Sequence, residues 1–193
     1  MSNSSINCYG IKLQLPKEVI RTGEGKYQTM VRFHTGWLTF VNPSNEGHWI
    51  VAESVHRDER AERLFNQDEL HSNFNLMRAA MSATPGQAKW WKLRSFQNER
   101  AEFLLEAKFS ALTNSLSLHP FTIFPIYSIT SGEFRGFQLG NPNIPPYDTH
   151  IDLFDGTDRH LAFDITGFEG HEQVLTQEEI NAMVKSIQST SNN

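Results

Sequence analysis

The sequence predicts an α+β fold, an antiparallel sheet flanked by helices. Three observations carry this expectation. Short alternating runs of apolar and polar residues recur, as at Ile11, Leu13 and Leu15. Two segments read as hairpins, around Ser131-Gly132 and around Asp155-Gly156. Two further stretches, over 70–81 and 180–187, carry apolar residues at helical spacing. Hairpins combined with two helices point to an antiparallel sheet with helices packed on it.

Taken in order, residues 1–8 are polar and are expected to fray. Gly10 to Leu15 alternates and is closed by Pro16, the pattern of a half-buried strand. Thr29 to Val41 is rich in β-branched and aromatic residues and predicts one or two strands around Gly36. His48 to Val55 reads as a further strand after the Pro43-Ser44-Asn45 turn. A helix follows. Asp68 is its expected cap, Leu70, Phe74, Met77 and Met81 its buried stripe, and Thr84-Pro85-Gly86 its stop. Residues 89–112 fit both periods, and the sequence favours strands there. Phe121–Ile129 and Phe134–Leu139 form the first hairpin, and Ile151–Leu153 with Leu161–Ile165 the second. Thr176 and Glu179 make a capping box, with Leu175 stapled onto Ile180, and Ile180, Val184 and Ile187 face the core. The tail, 189–193, is expected to be flexible.

Composition sets the class. The chain has 193 residues, 17 Lys+Arg against 22 Asp+Glu, and a net charge of −5. Its length predicts one domain over 1–193, since domains run to roughly 100–200 residues. The apolar runs are as short as Phe103-Leu104-Leu105, whereas a membrane span needs about 20 residues. A lone Cys8 excludes an intrachain disulfide, and the charge balance excludes a strongly basic nucleic-acid binder. Met1 to Gly10 has neither the basic nor the apolar region of a signal peptide. The expected location is therefore cytoplasmic, or periplasmic if a leader has been removed.

The charge is concentrated. Between 148 and 179 nine acids face Arg159 alone. That stretch repels phosphate backbones and suits a protein partner with a basic patch. Asp152, Asp155, Asp158, Glu169 and Glu172 are the candidate contacts there, and Trp90 and Trp91 the candidate aromatic anchors. No nucleophile elbow, phosphate loop or dinucleotide fingerprint occurs, so no cofactor is expected. His150 and Asp152 share one strand face and His160 lies across the Asp155-Gly156 turn, so these three are the alternative site, that of a metal-dependent hydrolase. A small-molecule module with an aromatic pocket is a further alternative.

Two stretches carry a family resemblance. Tyr9-Gly10-Ile11-Lys12-Leu13-Gln14-Leu15-Pro16 resembles the opening strand of PsbP-like domains, and Leu175-Thr176-Gln177-Glu178-Glu179-Ile180 through Val184-Lys185-Ser186-Ile187 resembles their closing helix. The group includes photosystem extrinsic subunits, the Mog proteins and bacterial DcrB-like proteins. The resemblance implies an α/β/α sandwich, no enzymatic activity and a protein partner. In bacteria it implies an adaptor or chaperone of a secreted toxin, or an immunity protein.

Overall fold

The computed structural model describes residues 4–42, 55, 58–87, 95–115, 125–168 and 172–190. The fold is α+β, with antiparallel sheets and helices. The chain divides into two compact units, Met1–Asn45 with Phe124–Asn193, and Glu46–Ile123. Among the described residues no helix is long and apolar enough to cross a membrane.

The first unit is built on two sheets. The smaller joins β1 (Ser5–Cys8), β2 (Ile11–Gln14) and β10 (Gln188–Ser189) in the order β1-β2-β10. The larger has seven strands: β3 (Arg21–Glu24), β4 (Gln28–Arg32), β5 (Gly36–Val41), β6 (Ile126–Ser131), β7 (Phe134–Leu139), β8 (Thr149–Phe154) and β9 (His160–Gly167). Their order is β3-β4-β5-β9-β8-β7-β6, and every pairing is antiparallel. The sheet is thus two meanders joined where β5 meets β9. Among the described residues, β3 and β6 are the edge strands.

Alternation places the core. Ile11 and Leu13 of β2, Leu38 and Phe40 of β5, Ile151 and Leu153 of β8, and Leu161, Phe163 and Ile165 of β9 belong to one buried cluster. Phe40 and Phe163, opposite each other in register, stack at 4.7 Å. The closing helix Gln177–Lys185 adds Ile180, Met183 and Val184 to that cluster. Its N-terminus is the expected capping box. Thr176 Oγ1 accepts from the Glu179 amide, and Glu179 Oε2 accepts from the Thr176 amide at 2.8 Å. Lys17 Nζ lies 3.2 Å from the same carboxylate and donates to the Val174 carbonyl.

Both chain ends depart from expectation. Ser5–Cys8 does not fray but pairs with β2, and burial of Ile6 and Cys8 in the core holds it there. Gln188–Ser189 pairs with the other side of β2. Burial pushes the Cys8 thiol up to about 11, so this cysteine is an inert core residue.

The second unit is helical over its described residues. Its helices are α1 (Ala61–Leu64), α2 (Gln67–Leu70), α3 (Asn73–Ser82) and α4 (Phe96–Ser115), with a 3-10 turn at Pro85–Gln87. The single helix expected over 68–81 is two, because Asn66 and Ser72 each cap a separate start. Asp68 therefore sits in a first turn rather than at a cap. The strands favoured within 89–112 give way to α4 from Phe96 onward. Straight-chain helix formers such as Glu99, Arg100, Glu102 and Glu106 decide that run. Arg100 ties the helices together. It donates to the Leu64 carbonyl at 2.8 Å, pairs with Glu69 and lies 4.9 Å above the Phe65 ring. Lys108 Nζ donates to the Met81 and Ala83 carbonyls, closing the C-terminal end of α3. The strand expected over His48 to Val55 lies outside the described residues, except for Val55.

Candidate functional site

The residues of the alternative site do come together, with one addition. β8 and β9 pair so that His150 stands opposite Asp164, Asp152 opposite Ala162, and Phe154 opposite His160. Ile151, Leu153, Leu161, Phe163 and Ile165 take the core face, so alternation sends His150, Asp152, His160 and Asp164 to the other face. There the four side chains form a continuous chain. His150 Nδ1 lies 2.5 Å from Asp164 Oδ1 and its Nε2 lies 3.0 Å from Asp152 Oδ1. Asp152 Oδ1 also receives His160 Nε2 at 2.7 Å. The His160 ring stacks on Phe154 at 5.0 Å. His150 and Asp152 are both buried, with side chains 9% and 8% exposed.

This geometry fixes protonation. Both ring nitrogens of His150 face a carboxylate oxygen, so both carry a hydrogen and the ring is an imidazolium. Burial opposes that charge. The Asp152 charge and the hydrogen bonds to Asp152 and Asp164 outweigh burial and hold the His150 pKa up at about 10. Burial likewise opposes the Asp152 carboxylate. The His150 charge and the bonds from both histidines overcome it and hold Asp152 well below the usual carboxylate range. Among the described residues no group of three or more His, Cys, Asp or Glu is arranged to hold a metal ion. The cluster is a chain of side-chain contacts that links β8 to β9.

Other acids of the 148–179 stretch also have partners within the chain. Asp155, 6% exposed, organises the β8–β9 turn. Its Oδ1 accepts from the Thr157 and Arg159 amides at 2.9 and 3.0 Å, and its Oδ2 from Arg159 Nε at 2.9 Å. Asp158 takes a left-handed backbone, φ 64°, in that turn. Glu179 belongs to the capping box. Of the candidate partner contacts, Asp152 and Asp155 are buried, Asp158 is half-buried and Glu172 is exposed. Glu169, Trp90 and Trp91 lie outside the described residues.

Among the described residues, the sheet's edge strands have no further strand paired to them. The exposed large apolar residues of the sheet unit, Ile20, Tyr27, Tyr127 and Ile144, stand at its margins. Ile20 and Tyr27 flank edge strand β3, and Tyr127 is on edge strand β6. Asn141, in the loop that carries Ile144, donates to Tyr127 Oη at 3.3 Å. The two edges differ in chemistry. β3 reads Arg-Thr-Gly-Glu, with two charges and a glycine to discourage pairing. β6 reads Ile-Tyr-Ser-Ile-Thr-Ser, with strong β-formers and no charge, proline or glycine.

The ladder decides which groups of β6 are on offer. The Gly140 amide donates to the Pro125 carbonyl at 3.0 Å, so Pro125 and Gly140 are a hydrogen-bonded pair. Such pairs alternate in an antiparallel ladder. With the observed register, Tyr127, Ile129 and Ser131 bond to β7. The backbone groups of Ile126, Ser128 and Thr130 therefore point outward. Side chains alternate as well. Ile129 packs against the core, with Tyr127 on the same side. The hairpin closes tightly at Gly132, φ 59°, as a two-residue turn.

Comparison of the chain with protein-family models, curated proteins and solved structures gave no match.

Proposed function

We propose that this protein is a non-enzymatic protein-binding domain whose β6 edge takes an extended segment of a partner as an additional strand. The carrying observation is the unguarded edge Ile126–Ser131, with three residues offering their backbone groups outward and Tyr127 exposed beside them. Strand addition draws affinity from backbone hydrogen bonds and specificity from alternate side chains. The internal ion chain supports a binding rather than a catalytic reading, because His150 holds carboxylates on both nitrogens and is not poised as a base. Among the roles implied by the PsbP-like resemblance, an adaptor or chaperone that holds an extended segment fits an open edge better than occlusion by an acidic face. Four of the acids that suggested such a face, Asp152, Asp155, Asp164 and Glu179, already have partners within the chain.

Proline at Ser128 removes an outward N–H and leaves the β6–β7 ladder intact, a position where edge strands tolerate it. In pull-downs from native extract, Ser128→Pro is expected to recover on the order of tenfold less partner than the wild type, the loss of about 1.4 kcal/mol or more of binding free energy. Thr22→Pro, on the charged edge, should recover the wild-type amount. The wild-type yield should also survive high salt. Equal recovery by Ser128→Pro, or release of the partner by salt alone, would contradict the reading.

A further inference from the structure

The geometry of β6 points to one occupant of its edge in particular, a second copy of this chain paired β6 to β6 across a two-fold axis. This inference rests on the reading of β6 as an open edge and names what fits it. Antiparallel pairing of two identical edges requires outward residues to meet outward residues. Ile126, Ser128 and Thr130 are the outward set, so the two-fold axis falls at Ser128. Ser128 then stands opposite Ser128 of the second copy, and Ile126 opposite Thr130. On the other face Tyr127 stands opposite Ile129 of the second copy, and Ile129 opposite its Tyr127. The Tyr–Ile couples fall in the non-hydrogen-bonded positions, where side chains approach most closely. Aromatic residues opposite β-branched ones are favourable cross-strand pairs. No charge lies anywhere on Ile126–Ser131, so no like charges are brought together by the symmetry. The resulting interface is isologous and closed. The other edge, β3, places Arg21, Gly23 and Glu24 along its four residues, so the assembly stops at two copies rather than growing into a fibre.

Disulfide trapping reads the register directly. A hydrogen-bonded antiparallel pair holds its Cα atoms about 5.5 Å apart, inside the window a disulfide accepts. Ser128→Cys should therefore cross-link to itself under mild oxidation. Thr130→Cys should not, since the two copies of residue 130 lie four residues apart along the strand, about 13 Å. Native Cys8 is buried and does not compete. The expected result is at least tenfold more covalent dimer from Ser128→Cys than from Thr130→Cys, with a wild-type mass in light scattering that rises toward twice the chain mass with concentration. Equal or negligible cross-linking of the two variants would overturn the two-fold pairing. If that occurs while Ser128→Pro still abolishes capture, the edge takes a foreign strand and the proposed function stands. If Ser128→Cys cross-links while Ser128→Pro captures normally, the self-pairing stands and the function reading fails.

Discussion

Asp152→Ala should be among the most damaging single substitutions in the chain. The change removes the carboxylate that receives both His150 Nε2 and His160 Nε2 in a site where Asp152 is 6% exposed. Breaking a buried ion pair by deleting one member costs about 3–5 kcal/mol, because the remaining charge is left uncompensated. At this chain length each kcal/mol lowers the melting temperature by about 2–4 °C. The pH dependence identifies the cause. His150 has a folded pKa raised from 6.5 to about 10. Its contribution to stability is therefore complete below its ordinary value and fades as pH rises toward the folded one. Asp152 is held low, so its contribution is complete above its ordinary value near 4 and is lost as pH falls below that. Together they favour the folded state most between about pH 4 and pH 6.5. Urea denaturation of the wild type should show stability falling from pH 6 to pH 8.5, a range that stops below 9.0, the ordinary value from which Cys8 would add its own pH dependence. In Asp152→Ala that slope should flatten. An unchanged slope, or a loss under about 1 kcal/mol, would mean that the ion chain contributes little.

The second large effect is steric. Gly136 of β7 pairs with Leu153 of β8, and a Cβ at Gly136 would overlap the backbone carbonyl of Asp152. The neighbouring atoms are backbone and cannot rotate away, so β7 must separate from β8. Gly136→Val is expected to destabilise by about 3 kcal/mol or more, at the upper end for overpacking. It should also lower the yield of soluble protein, because the β6–β7 hairpin hangs on this pairing. A melting temperature within about 2 °C of the wild type would show that the strands are less closely apposed than described.

The local signals in the sequence were reliable where the structure is itself local. The Ile11–Leu13 alternation, the β6–β7 turn at Gly132 and the Thr176–Glu179 capping box each depend on residues within a few positions of one another. β10 escaped because Gln188 meets Lys12 only through the tertiary fold, whereas β1 is a local hairpin partner of β2, Cys8 opposite Ile11, in a segment too polar to read as a strand. α4 escaped because Phe103, Leu105, Ala107 and Phe109 satisfy a strand period, whereas the helix buries Ala101, Phe103, Leu104 and Ala107 and leaves Phe109 exposed. Asp164 was within reach. Once the β8–β9 hairpin is drawn, counting back from Phe154 opposite His160 puts Asp164 opposite His150. Several acids of the 148–179 stretch have partners that the sequence did not show. Formal charge says nothing of internal donors, and Arg159, His150, His160 and the amide and hydroxyl of Thr176 occupy several of those acids. The uncharged run Ile126–Ser131 was visible from the start, but its meaning came from strand order, which alone made it an edge.

Amide hydrogen exchange along β6, recorded on dilute protein, addresses the open edge most directly. The amides of Tyr127, Ile129 and Ser131 should be protected by β7, while those of Ile126, Ser128 and Thr130 exchange freely. Raising the protein concentration, or adding the captured partner, should then protect Ile126, Ser128 and Thr130 selectively. Uniform protection of all six amides in dilute protein would show that the edge is already covered and would contradict the account.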